Sequence, residues 1–125
     1  VACLVGSEMC IRDRVMNVIG NVNNKVCILI DDIIDSGGTI INAAHALLRR
    51  GAKEVHVYAT HGVFSGDAVK NIRNSKIKNL VITDSIDSSD KFKKVRNIEI
   101  LSISVLLAEA IKRISNSTSV SDLFK

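Results

Sequence analysis

Aromatic residues and proline are what this sequence has least of. Its 125 residues include three Phe, one Tyr, no Trp and no Pro. The core must therefore be built from Ile, Val, Leu and Ala, which favours parallel strands covered by helices. The same scarcity argues against a stacking platform for single-stranded nucleic acid. The net charge of +4 comes from scattered Lys and Arg residues, which we interpret as solvated surface, so no nucleic-acid partner is expected.

Long apolar runs and paired cysteines are also lacking. No apolar run of the sequence approaches the roughly 18 residues of a membrane-spanning helix, so no membrane partner is expected. The three cysteines are an odd number without metal-ligand spacing, which predicts reduced thiols and a cytoplasmic location. Cys27 lies in an apolar run and is expected to be a small core residue.

Apolar periodicity predicts strands that alternate with helices, and hence an α/β fold with a parallel sheet. The last helix is expected to turn its apolar residues inward, and 85–94 to form a loop with little structure. Residues 1–14 fit no period and are interpreted as an atypical segment of foreign origin, which leaves 15–125 as the domain. The predicted strands are 25–30, 54–60, 80–83 and 98–101, the helices are 39–50, 67–73 and 102–114, and the inward residues of the last helix are Leu106, Leu107, Ala110, Ile111 and Ile114.

The stretch 28–40, Ile-Leu-Ile-Asp-Asp-Ile-Ile-Asp-Ser-Gly-Gly-Thr-Ile, predicts a buried strand, a polar turn at its carboxyl end and a helix start. A glycine-rich turn that leads into a helix exposes unpaired N–H groups and the positive end of the helix dipole, which suits a phosphate. The carboxylates of Asp31 and Asp32 suit neighbouring hydroxyls. A sugar phosphate is therefore the expected ligand, and the residues expected on its phosphate are Asp35, Ser36, Gly37, Gly38 and Thr39.

A plainer interpretation of the same stretch stays open. Ser36 or Thr39 would then cap the helix through its side chain, and Asp31 and Asp32 would be solvent-facing turn residues. The sequence assigns no metal ligand. Ligands of open α/β sheets bind beyond the carboxyl ends of the strands, where 61–66 and 84–88 also lie. His61 is therefore a candidate pocket residue, although the sequence offers it no partner.

The stretch 26–40 resembles the loop of type I phosphoribosyltransferase-fold proteins that binds PRPP (5-phosphoribosyl 1-diphosphate). More narrowly, 15–125 is similar to the carboxyl-terminal part of the ribose-phosphate diphosphokinase (PRPP synthetase) family. The segments that carry this likeness are Val-Met-Asn-Val-Ile-Gly at 15–20, Tyr-Ala-Thr-His at 58–61, Phe-Ser-Gly at 64–66, Asn-Ile-Arg-Asn-Ser at 71–75, Leu-Ala-Glu-Ala-Ile at 107–111 and Ser-Val-Ser-Asp-Leu-Phe at 119–124.

The resemblance implies a phosphoribosyltransferase-like domain that is incomplete at its amino-terminal side. It implies transfer of the β,γ-diphosphoryl group of ATP to the 1-hydroxyl of ribose 5-phosphate, with Mg²⁺ as cofactor and a homo-oligomeric full-length enzyme. By position, 35–39 would hold the 5-phosphate, and Asp31 and Asp32 the ribose hydroxyls. ATP would bind through an amino-terminal domain outside this chain. No catalytic residue is therefore expected in these 125 residues, which would bind the sugar phosphate without catalysing.

Two other functions share the same loop. A phosphoribosyltransferase would consume PRPP to attach a base, but it would not explain the likeness at 60–66 and 107–111. A non-catalytic PRPP sensor or synthetase-associated regulator would keep the loop and lack the ATP half. The sequence leaves both open.

Overall fold

Strands and helices alternate along the chain in the structure, a computed structural model that describes residues 18–87, 89–92 and 95–125. The foreign segment expected over 1–14 lies outside these residues. None of the described helices is long and apolar enough to cross a membrane. The elements are β1 (Val26–Ile34), α1 (Gly38–Arg49), β2 (Glu54–Gly62), α2 (Ala68–Arg73), β3 (Asn79–Thr83), α3 (Ser89–Phe92), β4 (Ile98–Leu101), α4 (Ser104–Ser115) and a final 3-10 turn (Ser121–Phe124).

The described strands form one sheet in the order β1-β2-β3-β4, and each neighbouring pair is parallel. This confirms the predicted α/β class with a parallel sheet. All the carboxyl ends consequently lie at one edge of the sheet. Each connection moves to the next strand in the same direction, so right-handed crossovers place the connecting helices on one face.

The core lies between that face and α1 and α2. Cys27 and Leu29 of β1 stand in register with Val55 and Val57 of β2, and all four are buried. The sequence of α1 predicts an apolar stripe of Ile40, Ala43, Ala44, Leu47 and Leu48. The stripe is confirmed where α1 packs against β1 and β2, although Leu48 is only half-buried. The buried residues of α1 are Ile40, Ala43, Ala44, Ala46 and Leu47. The prediction for Cys27 is confirmed as well.

The opposite face of the sheet is apolar and open to solvent over much of its area. Val26 and Ile30 of β1, Tyr58 of β2 and Leu101 of β4 are all exposed there. Val26, Ile30 and Tyr58 alternate with buried residues along their strands, so they point away from the core. Leu101 lies on the same face, because its partner Thr83 is two residues beyond Val81, the partner of Tyr58. The strands are thus apolar on both faces of the sheet, although helices cover only one of them among the described elements.

Helix α4 departs from its prediction. It begins at Ser104 instead of Ser102, and none of its residues is buried. The expectation that its apolar residues face inward is wrong: Leu106, Leu107, Ile111 and Ile114 are exposed, and Ala110 is only half-buried. The physical reason is its place in the fold. It follows the edge strand β4, and no described strand comes after it to bring it back across the sheet.

Candidate functional site

The first two strands run further toward the carboxyl edge than the sequence predicts. β1 continues to Ile34 and β2 to Gly62, and Ile33 and Ile34 pair with His61 and Gly62. Asp31 and Asp32 therefore lie inside β1, and the prediction of a polar turn at this pair is wrong. Two aspartates and two isoleucines can remain in a strand here because β2 pairs with β1 on both sides of Asp32, at Asp31 and again at Ile33 and Ile34.

The 35–39 turn joins β1 to α1. Gly37 is the residue before the first helical turn, and its backbone is left-handed, with φ 76° and ψ −4°. No side chain of the described residues caps this helix, so the interpretation in which Ser36 or Thr39 caps α1 is wrong. The first helical hydrogen bond runs from Ile41 N to Gly37 O at 3.0 Å. The N–H groups ahead of it point out of the helix start, where they can bind an anion.

The two glycines of this turn have different surroundings. A Cβ added at Gly37 would lie 3.2 Å from Cδ1 of Ile72, and its positive φ strains any other residue. Within the described part of the chain, a Cβ added at Gly38 would meet only Ser36 Oγ, at 3.9 Å. Gly37 is thus required by the fold. Gly38 leaves open space at the exposed start of the helix.

The regular alternation of strand side chains breaks near the end of β1, where Ile33 is exposed and Ile34 is buried. The side chains of Asp31 and Asp32 are close enough to interact with each other. Asp31 is half-buried and Asp32 is exposed. The N–H of Asp32 donates to Oδ1 of Asp31 at 2.9 Å. Partial burial raises the pKa of Asp31 above its ordinary value, and the neighbouring Asp32 side chain adds to the rise. A carboxylate in this setting gains from hydroxyl donors or a cation that approaches it.

The loop after β2 is bonded directly to the end of β1 and the beginning of the 35–39 turn. The N–H groups of Val63 and Phe64 donate to Ile34 O at 2.9 and 3.2 Å. The N–H of Ser65 donates to Asp35 O at 3.2 Å. The 63–66 loop therefore fixes the position of the turn, as the expected convergence of loops at this edge requires.

His61, at the end of β2, has a partner that the sequence did not reveal. Its Nδ1 lies 2.8 Å from Ser85 Oγ, and the Ser85 hydroxyl donates to Thr60 O at 3.1 Å. A hydroxyl has one hydrogen to donate, so the roles of His61 Nδ1 and Ser85 Oγ in this pair follow the tautomer of the ring. Thr83 Oγ1 donates to the same Thr60 carbonyl at 2.7 Å. The end of β2 and the 84–88 loop after β3 are thereby joined.

Asp84 connects the 84–88 loop after β3 to the beginning of α4 through hydrogen bonds. Its Oδ1 accepts a hydrogen bond from Ile103 N at 2.9 Å, and its own N–H donates to Leu101 O at 3.0 Å. Hydrogen bonds from the Ser102 side chain and from Ile103 N–H lower the pKa of Asp84 below its ordinary value. Sequence reasoning placed Asp84 at a strand end and did not identify this role.

The one-turn helix α3 lies where the sequence predicts a loop with little structure. Lys91 Nζ donates to Val63 O at 2.7 Å and to Phe64 O at 3.2 Å. The ring of Phe92 is buried and meets the Phe64 ring edge to face, with centroids 4.9 Å apart and planes at 81°. An aromatic residue within a polar stretch was the available signal for this contact.

The described residues contain no cluster of three or more side chains that could hold a metal ion. Mg²⁺ at phosphate sites keeps several waters and takes one or two carboxylates together with substrate phosphates. Asp31 and Asp32 are two carboxylates of the kind that such a loose site would take. They do not form a metal cage by themselves.

A groove lies at the other end of α1. It has a volume of about 270 Å³ and is lined by His45, Leu48, Arg49 and Lys76. Those residues of α1 stand about 10–16 Å along the helix from Gly38, at a rise of 1.5 Å per residue. The groove is therefore separate from the carboxyl edge of the sheet, where the aspartates and the 35–39 turn lie.

Comparison with known proteins identifies similar chains. The family model described as "Phosphoribosyl synthetase-associated domain" matches residues 5–125. A ribose-phosphate pyrophosphokinase of Buchnera aphidicola subsp. Acyrthosiphon pisum is 53% identical over 112 residues, which cover 90% of this chain and 36% of the relative. One from Brucella melitensis is 57% identical over 113 residues, with the same two coverages.

A solved structure is similar as well. The crystal structure of phosphoribosylpyrophosphate synthetase from Mycobacterium smegmatis superimposes with a TM-score of 0.78 at 36% identity, over 85% of this chain and 35% of that one. The chain thus spans little more than a third of the length of the relatives that it matches.

Proposed function

We propose that this chain, which belongs to the phosphoribosyl synthetase-associated domain family, forms the ribose 5-phosphate side of a ribose-phosphate pyrophosphokinase active site. The reaction would transfer diphosphate from ATP to ribose 5-phosphate and give PRPP. The relatives named above carry that enzyme's name. The likeness to them supports this reaction over a phosphoribosyltransferase that consumes PRPP.

The observation that carries the proposal is the start of α1. The left-handed Gly37 precedes a helix with no side-chain cap, and the first N–H groups are free to bind the oxygens of a phosphate. No acidic residue lies in the first turn of the helix, so the positive end of the helix dipole is not offset there. A 5-phosphate bound to the 35–39 turn would be held by backbone atoms, and Ser36 and Thr39 would add hydroxyl donors.

The ribose is proposed to lie beside β1. Asp32 is exposed and can accept hydrogen bonds from two neighbouring hydroxyls. Asp31 already accepts the Asp32 N–H and would take one hydroxyl more. This assignment keeps both carboxylates within the same site, in keeping with the interaction between their side chains.

Mg²⁺ is the cofactor that we propose for the reaction, and it would neutralise phosphate charge during in-line transfer. Asp31 and Asp32 are the residues of this chain that fit a loose, water-bridged contact with it. ATP would be bound by other parts of the longer enzyme. In-line transfer needs both substrates positioned together, so this chain alone would bind ribose 5-phosphate and form no PRPP.

Valine in place of Gly38 tests this proposal. The space at Gly38 is open in the protein, so the variant should fold, whereas its side chain would occupy the position of the phosphate. We expect isothermal titration calorimetry to show at least a tenfold weaker Kd for ribose 5-phosphate. Unphosphorylated ribose should bind wild type and variant equally weakly.

Asn42→Val is the matched control, because it places the same residue on an exposed position of α1 one turn further along. Its Kd for ribose 5-phosphate should equal that of the wild type, and thermal unfolding should show that both variants fold. Equal affinity of the Gly38→Val and wild-type chains would remove the 35–39 turn from the site. PRPP formation by the purified chain would contradict the proposed division of the active site.

A further inference from the structure

Hydrogen bonds connect α3 to the 63–65 backbone, and that backbone to the end of β1 and the beginning of the 35–39 turn. Lys91 Nζ donates to the carbonyls of Val63 and Phe64. The N–H groups of these same two residues donate to Ile34 O. The next residue of the loop, Ser65, donates to Asp35 O. One ammonium group on α3 therefore holds the loop that in turn holds the beginning of the turn.

Phe64 gives this path a second contact with α3. Its φ of 51° is left-handed, a conformation that residues other than glycine keep only where the surroundings impose it. Its side chain is buried at 2% exposure and rests against the ring of Phe92. Lys91 and Phe92 thus fix the backbone and the side chain of the same residue.

We propose that α3 is a clamp on the 63–66 loop, and that Lys91 is a positioning residue for the sugar-phosphate site. The inference deepens the proposed function and rests on it. Lys91 acts through the 63–65 backbone on Ile34 and Asp35, and it does not contact the ligand. Backbone N–H groups bind a phosphate well only when they are held in place beforehand. Loosening the loop would therefore weaken binding.

Lysine suits this task for a chemical reason. Its ammonium group has three donors and no acceptor, so two carbonyl oxygens can be bound at once. Hydrogen bonds from a charged donor are shorter and stronger than neutral ones. Because the charge is directed at carbonyl oxygens, its effect on ligand binding should come through geometry more than through the electrostatic field.

The test compares Lys91→Met, which keeps the length of the side chain, with Lys91→Arg, which keeps donors and charge. Lys70→Met is the matched control, because it removes the same charge from an exposed lysine of α2. We expect Lys91→Met to weaken ribose 5-phosphate binding about tenfold, the effect of losing a charged hydrogen bond. Lys91→Arg should restore most of it, and Lys70→Met should change Kd less than twofold.

Two further measurements separate positioning from charge. Hydrogen exchange of the Val63 and Phe64 amides should become faster in Lys91→Met, while the midpoint of urea unfolding changes little. The dependence of Kd on salt concentration should be the same in Lys91→Met and wild type. If Lys91 contacted the ligand through its charge, losing that contact would make the salt dependence of the variant shallower.

An unchanged Kd in Lys91→Met, with the wild type binding normally, would overturn the clamp and leave the proposed function intact. Equal weakening in Lys70→Met, or a shallower salt dependence in Lys91→Met, would also overturn it in favour of a field effect. Failure of the wild-type chain to bind ribose 5-phosphate would overturn the proposed function, and with it the role of Lys91.

Discussion

Helices α1 and α4 are both 12 residues long, both follow a strand, and both have an apolar stripe, yet they end in opposite surroundings. α1 has five buried residues and α4 has none. Leu47 of α1 is completely buried, whereas Leu107 of α4 is 51% exposed. The apolar pattern of a helix indicates which side can be buried, but the topology decides whether anything covers it.

The connections explain the difference. α1 joins β1 to β2, so both of its ends are fixed and its stripe must lie across the strands that it connects. α4 follows the edge strand and is fixed at its beginning by Asp84, which accepts the Ile103 N–H. The candidate site lies on the buried side of this contrast, at α1 and not at α4. The 35–39 turn lies at the buried helix, where packing can hold backbone N–H groups in place.

The largest expected effect comes from truncating the buried leucine. Leu47→Ala should lower the free energy of unfolding by about 2–5 kcal/mol, because it removes transfer energy and leaves a cavity. Leu107→Ala should change it by less than about 0.5 kcal/mol, as surface substitutions usually do. Urea denaturation of both variants measures the contrast directly. Equal losses would show that the apolar side of α4 is covered in solution.

A smaller effect is expected from Asp84→Asn, which weakens the hydrogen bond at the beginning of α4. Because the folded-state pKa of Asp84 is lowered, its carboxylate stabilises this contact above the ordinary pKa, and the stabilisation is lost as pH falls through the folded value. The amide chemical shift of Ile103 should therefore follow the Asp84 titration in the wild type and lose that dependence in Asp84→Asn.

Asp122→Asn is the control for Asp84→Asn, since it removes the same charge from the final 3-10 turn, where Asp122 pairs with Lys125 at 2.6 Å. It should leave the Ile103 titration unchanged. If the amide chemical shift of Ile103 in the wild type did not change with pH in the acid range, Asp84 would not hold the beginning of α4. Truncating Leu47 should not alter this local titration as long as the chain remains folded.

The difference between the helices also marks how far the sequence could be interpreted. The stripe of α1, the parallel sheet and the edge at which the three loops meet could be predicted, because they depend on local periodicity and chain order. The exposure of the apolar side of α4 could not be predicted, because burial of a helix face depends on a partner element that periodicity does not identify. The extension of β1 through Asp31 and Asp32 was missed because the support comes from β2.

Within the candidate site, the sequence indicated the residue types and missed the connections between loops. The 35–39 turn is recognisable from two glycines beside an apolar run. The bond from His61 to Ser85 spans 24 residues, and that from Lys91 to Val63 spans 28. Contacts of this range depend on the register of separate strands, which a single sequence does not specify. The roles of Asp31, Asp32 and 35–39 in binding stay predictions.

The smallest expected effect concerns the surface pairs that α4 has in place of buried contacts. Glu109 Oε1 lies 3.0 Å from Arg113 Nε, one turn further along the helix. Glu109→Gln should lower stability by only about 0.3–0.5 kcal/mol, because both side chains are partly solvated. Arg113→Met should cost slightly more, since Arg113 Nη1 also donates to Ser119 O at 2.9 Å. Urea denaturation at low and high salt measures both losses, and the Glu109 effect should fade at high salt. A loss from Glu109→Gln that matched Leu47→Ala and persisted in high salt would mean that α4 is packed as firmly as α1.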